Sequence, residues 1–166
     1  DTPSFEGRPN WFGSVATECK AARERAVLID QSSFSKYEIS GPGAFTALQR
    51  LAANDLDRPA GALIYTQLCN ERGGIEADLT FVRLDENRFY MVTGSAFGVR
   101  DTAWITRHLP ADGSVTLQDL TSARATINLA GPLSRRILEK VADGDVGNAA
   151  FPYMTARSLR IGYAPV

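Results

Sequence analysis

Residues 70–84, NERGGIEADLTFVRL, place a single aspartate in a run of β-forming residues that follows a Gly-Gly turn. Aspartate disfavours strands, and burying a carboxylate is costly unless another group compensates. Asp78 therefore suggests one of two roles. Turn amides or an arginine such as Arg72 could satisfy it structurally, or it could point into a pocket and there handle protons or bind an amine-bearing ligand. The pattern alone favours the structural role.

The alternation along this strand predicts how deeply Asp78 is buried. Residues at even positions, Asp78, Val82 and Leu84, lie on one face of the strand. Residues at odd positions, beginning at Ala77, lie on the other face, which is apolar. Because both faces are largely apolar, we expect the strand to lie in a covered sheet and Asp78 to be semi-buried.

Few other side chains in the sequence suggest chemistry. His108 is the only histidine, which argues against a His-rich metal site and against a catalytic triad that does not use it. Near the end of a predicted helix, it is expected to act as a cation at the helix C-terminus. Cys69 is interpreted as a small core residue. The glycine segments 41–43 and 94–98 match neither GxGxxG nor GxxxxGK[ST] and are interpreted as strand-to-helix turns. No metal site is predicted.

Composition excludes several classes of protein. The 166 residues are 44% hydrophobic, with 18 Lys+Arg against 19 Asp+Glu, and no basic run is longer than two residues, so the chain lacks the charge pattern of a nucleic-acid binder. No apolar run approaches the roughly 20 residues of a membrane span. Two cysteines without a CxxC motif suit a reducing compartment, cytoplasmic or in the mitochondrial matrix. The chain starts without Met and ends within a predicted strand, ARSLRIGYAPV, so we expect a truncated part of a longer polypeptide.

The secondary-structure pattern indicates an α+β fold with antiparallel or mixed sheets and packed helices. The central prediction is an antiparallel three-stranded meander, with strands ALIYTQLC, IEADLTFVRL and FYMVTG joined by short hairpin connections. An amphipathic helix with an apolar stripe through Val15 precedes it. A helix led by Val99, Ala103 and Trp104 follows it. One domain spans 1–166, with two possible lobes at 1–110 and 111–166.

Two segments of the sequence repeat one pattern. YEISGPGAFTALQRL and TINLAGPLSRRILEKV each read as a strand, a Gly-Pro pair and a helix, and the pairs begin at residues 41 and 131. Pro42 suits the first position of its helix, and Leu48 and Leu51 are expected to face inward. The repeat predicts two pseudo-equivalent halves.

Several motifs together resemble the aminomethyltransferase family, which contains the glycine-cleavage T-protein and the folate-binding part of dimethylglycine and sarcosine dehydrogenases. The resemblance runs from about Pro9 to the end of the chain. It is carried by RPNWF, DQSSFSKYEISGPGA, LQRLAANDL, YTQLCNERGGIEADLTFVRL, FYMVTGSAFGVRD and INLAGP. NERGGIEADLT and VTGSAFG are more similar to the flavin-linked members than to the T-protein. The resemblance implies a T-protein-like fold that is cut before its "GELG" segment.

The resemblance also implies which residues form the site. Asp78 occupies the place of the family's carboxylate near the reacting nitrogens of folate, so the resemblance favours a catalytic role, with desolvation raising its pKa. Tyr90 and Val92 fall where the family contacts the pterin ring, and Tyr65 falls at a wall of that ring. Gly94 stands where the T-protein has an asparagine, which places one pterin hydrogen bond in question.

The implied function is the capture of a one-carbon unit from an oxidised methylamine of the sarcosine or dimethylglycine type, as 5,10-methylenetetrahydrofolate. Tetrahydrofolate is the implied cofactor and the amine-derived iminium the second ligand. FAD belongs to a flavin oxidoreductase domain upstream in the same chain or in another subunit, and the fragment alone is expected to be inactive. No nucleic-acid or membrane partner is implied. The alternatives are a non-catalytic structural or channelling module of a flavin-dependent amine dehydrogenase, and a stand-alone glycine-cleavage T-protein. Two other branches of the fold also stay open: one tied to iron–sulfur maintenance and tRNA modification, and one that transfers a methyl group from a sulfonium donor to folate.

Overall fold

The computed structural model describes residues 7–166. Four helices lie in this range: α1 Phe12–Glu24, α2 Ala44–Leu51, α3 Gly98–His108 and α4 Ser134–Leu138. The strands are β1 Val27–Asp30, β2 Ser35–Ser40, β3 Leu63–Cys69, β4 Ile75–Asp85, β5 Arg88–Thr93, β6 Thr116–Asp119, β7 Ile127–Ala130, β8 Arg160–Ile161 and β9 Ala164–Pro165. Every strand pairing in the described range is antiparallel, which confirms the predicted α+β class.

The chain forms two compact units. One contains Gln31–Thr126 and Phe151–Ser158, with a five-stranded sheet in the order β3-β4-β5-β2-β6. The other contains the described residues up to Asp30 together with Ile127–Ala150 and Leu159–Val166. The predicted lobe boundary at residue 110 falls inside the first unit, because β6 follows that residue and pairs with β2.

The core of the first unit lies between one face of the five-stranded sheet and the helices α2 and α3. Alternate residues of β4 and β5 are buried on this face, whereas the sequence predicted that the β4 strand is covered on both faces. Phe81 and Phe89 are both 0% exposed and pack edge to face, with ring centroids 6.3 Å apart. Burying each such side chain contributes about 1.5–3 kcal/mol. The core also includes Tyr37, Ile39, Ala44, Leu48, Leu51, Leu56, Ile64, Leu68, Ala77, Leu79, Met91 and Ile105.

Two details of the predicted helices are wrong. Helix α2 begins at Ala44, so Pro42 lies before the helix rather than at its first position. Helix α3 does not face the core through Val99, whose side chain is 85% exposed. Its buried residues are Gly98, Asp101 and Ile105, whose spacings of three and four residues place them on one helix face. The prediction assigned the buried face from the apolar residues of the helix. It failed because one residue of the buried face, Asp101, is polar.

The repeated strand, Gly-Pro and helix pattern has matched geometry in both units. Gly41 and Gly131 have φ angles of 125° and 115°, a region that residues with side chains rarely adopt. A Cβ added to Gly41 would lie 2.2 Å from the carbonyl oxygen of Ser114, and one added to Gly131 would lie 2.7 Å from that of Arg25. The amide two residues after each glycine donates to that same carbonyl, at 3.3 Å and 2.9 Å. Each glycine therefore permits the close approach of the chain that leads into the partner strand.

The second unit is built on the β1–β7 pair, with the short β8–β9 hairpin. Helix α1 forms as predicted, but its apolar stripe is not buried among the described residues, and Val15 is 40% exposed. The predicted final strand is instead a tight hairpin that turns at Gly162, with φ 59°. Tyr163 is 98% exposed in that turn. No helix within residues 7–166 has the length and apolar character needed to cross a membrane.

Candidate functional site

The five-stranded sheet has a second face, turned away from α2 and α3, which we call the open face. Strand register brings residues from three neighbouring strands together on it, since directly opposed residues share one face. Gln67 opposes Asp78, and Thr80 lies between Tyr65 on β3 and Val92 on β5. Tyr90 opposes Val82 one step further along. Asp78, Tyr65, Tyr90 and Val92, four residues predicted for the site, therefore share the open face.

Asp78 is exposed, which contradicts the prediction that it is semi-buried. Burial alternates strictly along this part of β4, with Ala77 and Leu79 in the core, while no described residue covers the aspartate. The described residues therefore do not remove the Asp78 carboxylate from water, as the sequence had predicted they would.

The partners of Asp78 are side chains of the neighbouring strand. Tyr65 donates its hydroxyl proton to Oδ2 at 3.0 Å, and Gln67 Nε2 makes a long contact of 3.5 Å with Oδ1. The structural alternative, in which turn amides or Arg72 satisfy the carboxylate, is wrong. The side-chain oxygen of Asn70 accepts hydrogen bonds from the turn amides instead, at 3.0 Å and 2.9 Å.

Tyr65 is half-exposed, and its bond to Asp78 raises the pKa of its hydroxyl above the ordinary value, with burial and the carboxylate charge adding to the effect. The hydroxyl therefore remains protonated at neutral pH and acts as a steady donor. One donor fixed on a carboxylate oxygen limits how that carboxylate rotates.

Tyr90 and Val92 form a half-buried wall on the open face. The guanidinium carbon of Arg124 lies 5.3 Å from the centroid of the Tyr90 ring, within the distance of a cation–π contact. Burial raises the pKa of the Tyr90 hydroxyl, and the Arg124 charge opposes this shift. The sequence did not identify Arg124, because residue 124 meets residue 90 only through the tertiary fold.

Gly94 lies just after β5, and its carbonyl accepts a hydrogen bond from the amide of Phe97 at 2.9 Å. A Cβ at this position would lie 3.1 Å from the Phe97 ring. Glycine is therefore favoured here by the packing of its own turn.

A buried carboxylate, which the sequence did not single out, supports the end of β5. Asp101 is 2% exposed and accepts a hydrogen bond from the Thr93 hydroxyl at 2.5 Å. Burial raises the pKa of the Asp101 carboxyl, and the bond from Thr93 partly offsets this shift. The bond joins β5 to the first turn of α3 across the segment that contains Gly94. In the sequence, the only indication that Asp101 is buried was its spacing of four residues from Ile105, which places both on one helix face.

A separate cavity of about 640 Å³ lies in the first unit, at the C-terminal ends of α2 and α3. His108 Nδ1 lies 2.8 Å from the carbonyl oxygen of Trp104, and Arg50 donates to the carbonyl of His108 at 3.3 Å. Both side chains therefore contact carbonyls near the C-terminal end of α3, and the cationic role of His108 stays a prediction. Cys69 is half-buried beside the cavity. The described residues contain no cluster of His, Cys, Asp or Glu that could hold a metal ion.

Comparisons with known proteins agree on one family. The model of the GCVT N-terminal domain matches residues 3–166. The chain is 41% identical to 4-methylaminobutanoate oxidase (formaldehyde-forming) of Paenarthrobacter nicotinovorans, over 98% of this chain and 20% of that protein. It is 32% identical to mitochondrial dimethylglycine dehydrogenase of Rattus norvegicus, over 99% of this chain and 19% of that protein. The chain thus spans about a fifth of the length of these two relatives.

Among solved structures, glycine cleavage system aminomethyltransferase T from Bartonella henselae superposes with a TM-score of 0.73 at 30% identity. The match covers 85% of this chain and 38% of that chain. The predicted T-protein-like fold is confirmed.

Proposed function

The chain belongs to the GCVT N-terminal domain family, and we propose that it binds tetrahydrofolate on the open face and takes part in one-carbon transfer from an oxidised methylamine. The family relates it to aminomethyltransferases and to dimethylglycine and sarcosine dehydrogenases. Under this proposal the electrophilic iminium comes from a flavin-dependent oxidoreductase domain in the same polypeptide or in a partner subunit. Sarcosine or dimethylglycine is the proposed type of amine.

The observation that carries the proposal is the convergence of Asp78, Tyr65, Tyr90 and Val92 on one face of three adjacent strands. These residues lie on three consecutive strands, and they are the ones that the resemblance to the family implies for the site. A flat wall with a few polar groups suits a ring ligand.

The donor and acceptor chemistry of the open face fits tetrahydrofolate. When bound, tetrahydrofolate would supply two nitrogens that take up the one-carbon unit; each loses its proton, one of which leaves with the amine while the other passes to a base. Each oxygen of the Asp78 carboxylate accepts one contact within the chain and has a second lone pair. The carboxylate can therefore accept a further proton or hydrogen bond from a nitrogen. Tyr65 orients it, and its exposure allows the proton to pass on to water.

Asp78→Asn in the full-length protein tests this role. Because general-base catalysis contributes about 10²- to 10⁴-fold, we expect methylene-folate formation to fall by at least about 100-fold while amine oxidation stays near its normal rate. Glu71→Gln, which removes an exposed charge from the turn before β4, is the control and should change neither rate. Unchanged folate turnover in the Asp78 variant would remove this residue from the mechanism.

A non-catalytic module is the second candidate, and two observations favour it. Asp78 is exposed, and one similar protein is named for formaldehyde formation, a product in which the one-carbon unit is released rather than captured. Calorimetry with tetrahydrofolate on the full-length protein separates the candidates, because a structural module would show no binding heat. Reconstitution without any oxidoreductase domain would distinguish a stand-alone T-protein.

A further inference from the structure

Arg124 has an unusual setting at the rim of the open face. Its guanidinium is exposed above the ring of Tyr90, and it forms no ion pair with a described residue within 4.0 Å. Glu38 directly opposes Tyr90 on β2 and is the nearest carboxylate by register, yet it does not pair with the arginine. All five guanidinium N–H groups are donors, so this side chain is suited to an acceptor from outside the described residues.

The loop between β6 and β7 holds the arginine in place. The Lys36 amide donates to Thr121 Oγ1 at 3.0 Å, and the Leu120 amide donates to the Lys36 carbonyl at 2.8 Å. At the other end of the loop, the Thr126 amide donates to Ser32 Oγ at 3.1 Å. Both ends of the loop are therefore anchored to β2 or to the residues before it. Because the backbone that carries Arg124 is already ordered, less backbone freedom is lost when a ligand binds there than on a loose loop.

The register gives the distance between this arginine and the proposed base. Tyr90 opposes Val82, which lies four residues along β4 from Asp78, a separation of about 13 Å at the rise of a strand. A ligand whose reacting nitrogens lie at Asp78 reaches Arg124 only with a group attached well beyond those nitrogens. In tetrahydrofolate this group is the aminobenzoyl ring and its glutamate, which bears carboxylates.

We propose that Arg124 binds a carboxylate at the glutamate end of the folate, with the aminobenzoyl ring packing beside Tyr90, whose ring face the guanidinium covers. The inference rests on the proposed function and names a further specificity-determining residue for it. Guanidinium and carboxylate groups match in a bidentate geometry that strengthens such contacts. A flat ring beside Tyr90 would also shield the pair from water, which strengthens the attraction. Tyr90 then contacts the aminobenzoyl part of the ligand rather than the pterin.

The test compares two ligands in the full-length protein by equilibrium binding. Tetrahydrofolate carries the aminobenzoylglutamate, whereas 6-methyltetrahydropterin has the same reduced ring system without it. Arg124→Gln should weaken tetrahydrofolate binding by roughly 10- to 100-fold, the range for a hydrogen bond to a charged group, and should leave 6-methyltetrahydropterin binding unchanged. Arg107→Gln, on an exposed position of α3, is the matched control and should affect neither ligand.

The outcomes distinguish the two proposals. An equal loss for both ligands would show that Arg124 supports the wall or the pterin, and an undiminished affinity for tetrahydrofolate would show that it binds nothing; either result overturns the inference alone. If the unaltered protein binds neither ligand, the proposed function fails and the inference fails with it. Arg124→Lys, which keeps the charge without the planar fork, should retain part of the discrimination between the ligands.

Discussion

The hydrogen bond between Tyr65 and Asp78 orients an exposed carboxylate that no described residue desolvates. The bond joins two strands, so its geometry depends on the pairing of β3 with β4 rather than on local sequence. The proposed chemistry at Asp78 therefore depends on orientation and on ligand binding, not on burial within this chain.

Tyr65→Phe tests whether orientation contributes to the reaction. The substitution keeps the aromatic wall and removes the donor to Asp78, so we expect ligand affinity to stay within about twofold and the rate of folate turnover to fall about 3- to 10-fold, the value of one hydrogen bond. Tyr153→Phe, at a site that is 92% exposed, is the control. Stopped-flow measurement of methylene-folate formation gives the rate, and an unchanged rate would show that the bond has no part in it.

Asp101 provides a prediction about pH. Burial raises the pKa of this carboxyl in the folded state, so its charged form destabilises the fold. Its favourable contribution is complete below the unfolded-state pKa and is lost as pH rises through the folded-state pKa. Asp101→Asn keeps an oxygen acceptor for the Thr93 hydroxyl and cannot ionise. We therefore expect the asparagine variant to gain free energy of unfolding over the parent as pH rises from the unfolded-state pKa of Asp101 through its folded-state pKa, and to keep that gain above it.

Urea unfolding at several pH values checks this expectation. Asp101→Ala serves as the comparison, because it leaves the buried Thr93 hydroxyl without its partner and should lose about 1–3 kcal/mol of stability. A constant difference between parent and asparagine variant at all pH values would contradict the raised pKa.

At the scale of the elements, each Gly-Pro turn follows a strand and packs against the segment that leads into the partner of that strand. The turn after β2 contacts the segment before β6, and the turn after β7 contacts the segment before β1. The two turns share positive φ angles and the same hydrogen bond to a carbonyl. Each helix that follows, α2 or α4, starts from this turn. The equivalence is therefore structural even though the helices differ in length and burial.

Gly41→Ala and Gly131→Ala should each destabilise the protein by at least about 1–3 kcal/mol, because a side chain must adopt an unfavourable φ and meets a backbone carbonyl at 2.2 Å or 2.7 Å. Gly13→Ala is the matched control: nothing lies within 4 Å of its added Cβ, and alanine in helix α1 should be neutral or up to about 1 kcal/mol stabilising. Thermal unfolding monitored by circular dichroism compares the three. Equal stability of all three variants would show that the close approach does not constrain the turns.

At the scale of the whole molecule, the two units differ in how much apolar surface they bury. The first unit has a buried hydrophobic core, whereas several large apolar side chains of the second unit are exposed. The five-stranded sheet has a continuous core on its helix side. In the other unit, Leu28, Ile127 and Val141 remain 70%, 53% and 45% exposed. The chain spans about a fifth of the length of the two curated relatives. Measurements of binding and activity therefore require the full-length protein.

The sequence by itself determined the antiparallel meander, the paired Gly-Pro turns and the family, because alternation, glycine chemistry and motif order are local properties of the chain. It also placed Asp78, Tyr65, Tyr90 and Val92 on strands whose register brings them to one face. Only the tertiary structure decided that Asp78 is exposed, that Asp101 is buried and that Arg124 lies over Tyr90. Burial depends on what covers each face of a sheet, and a contact between residues 90 and 124 depends on strand order. Neither can be read from the spacing of neighbours along the chain.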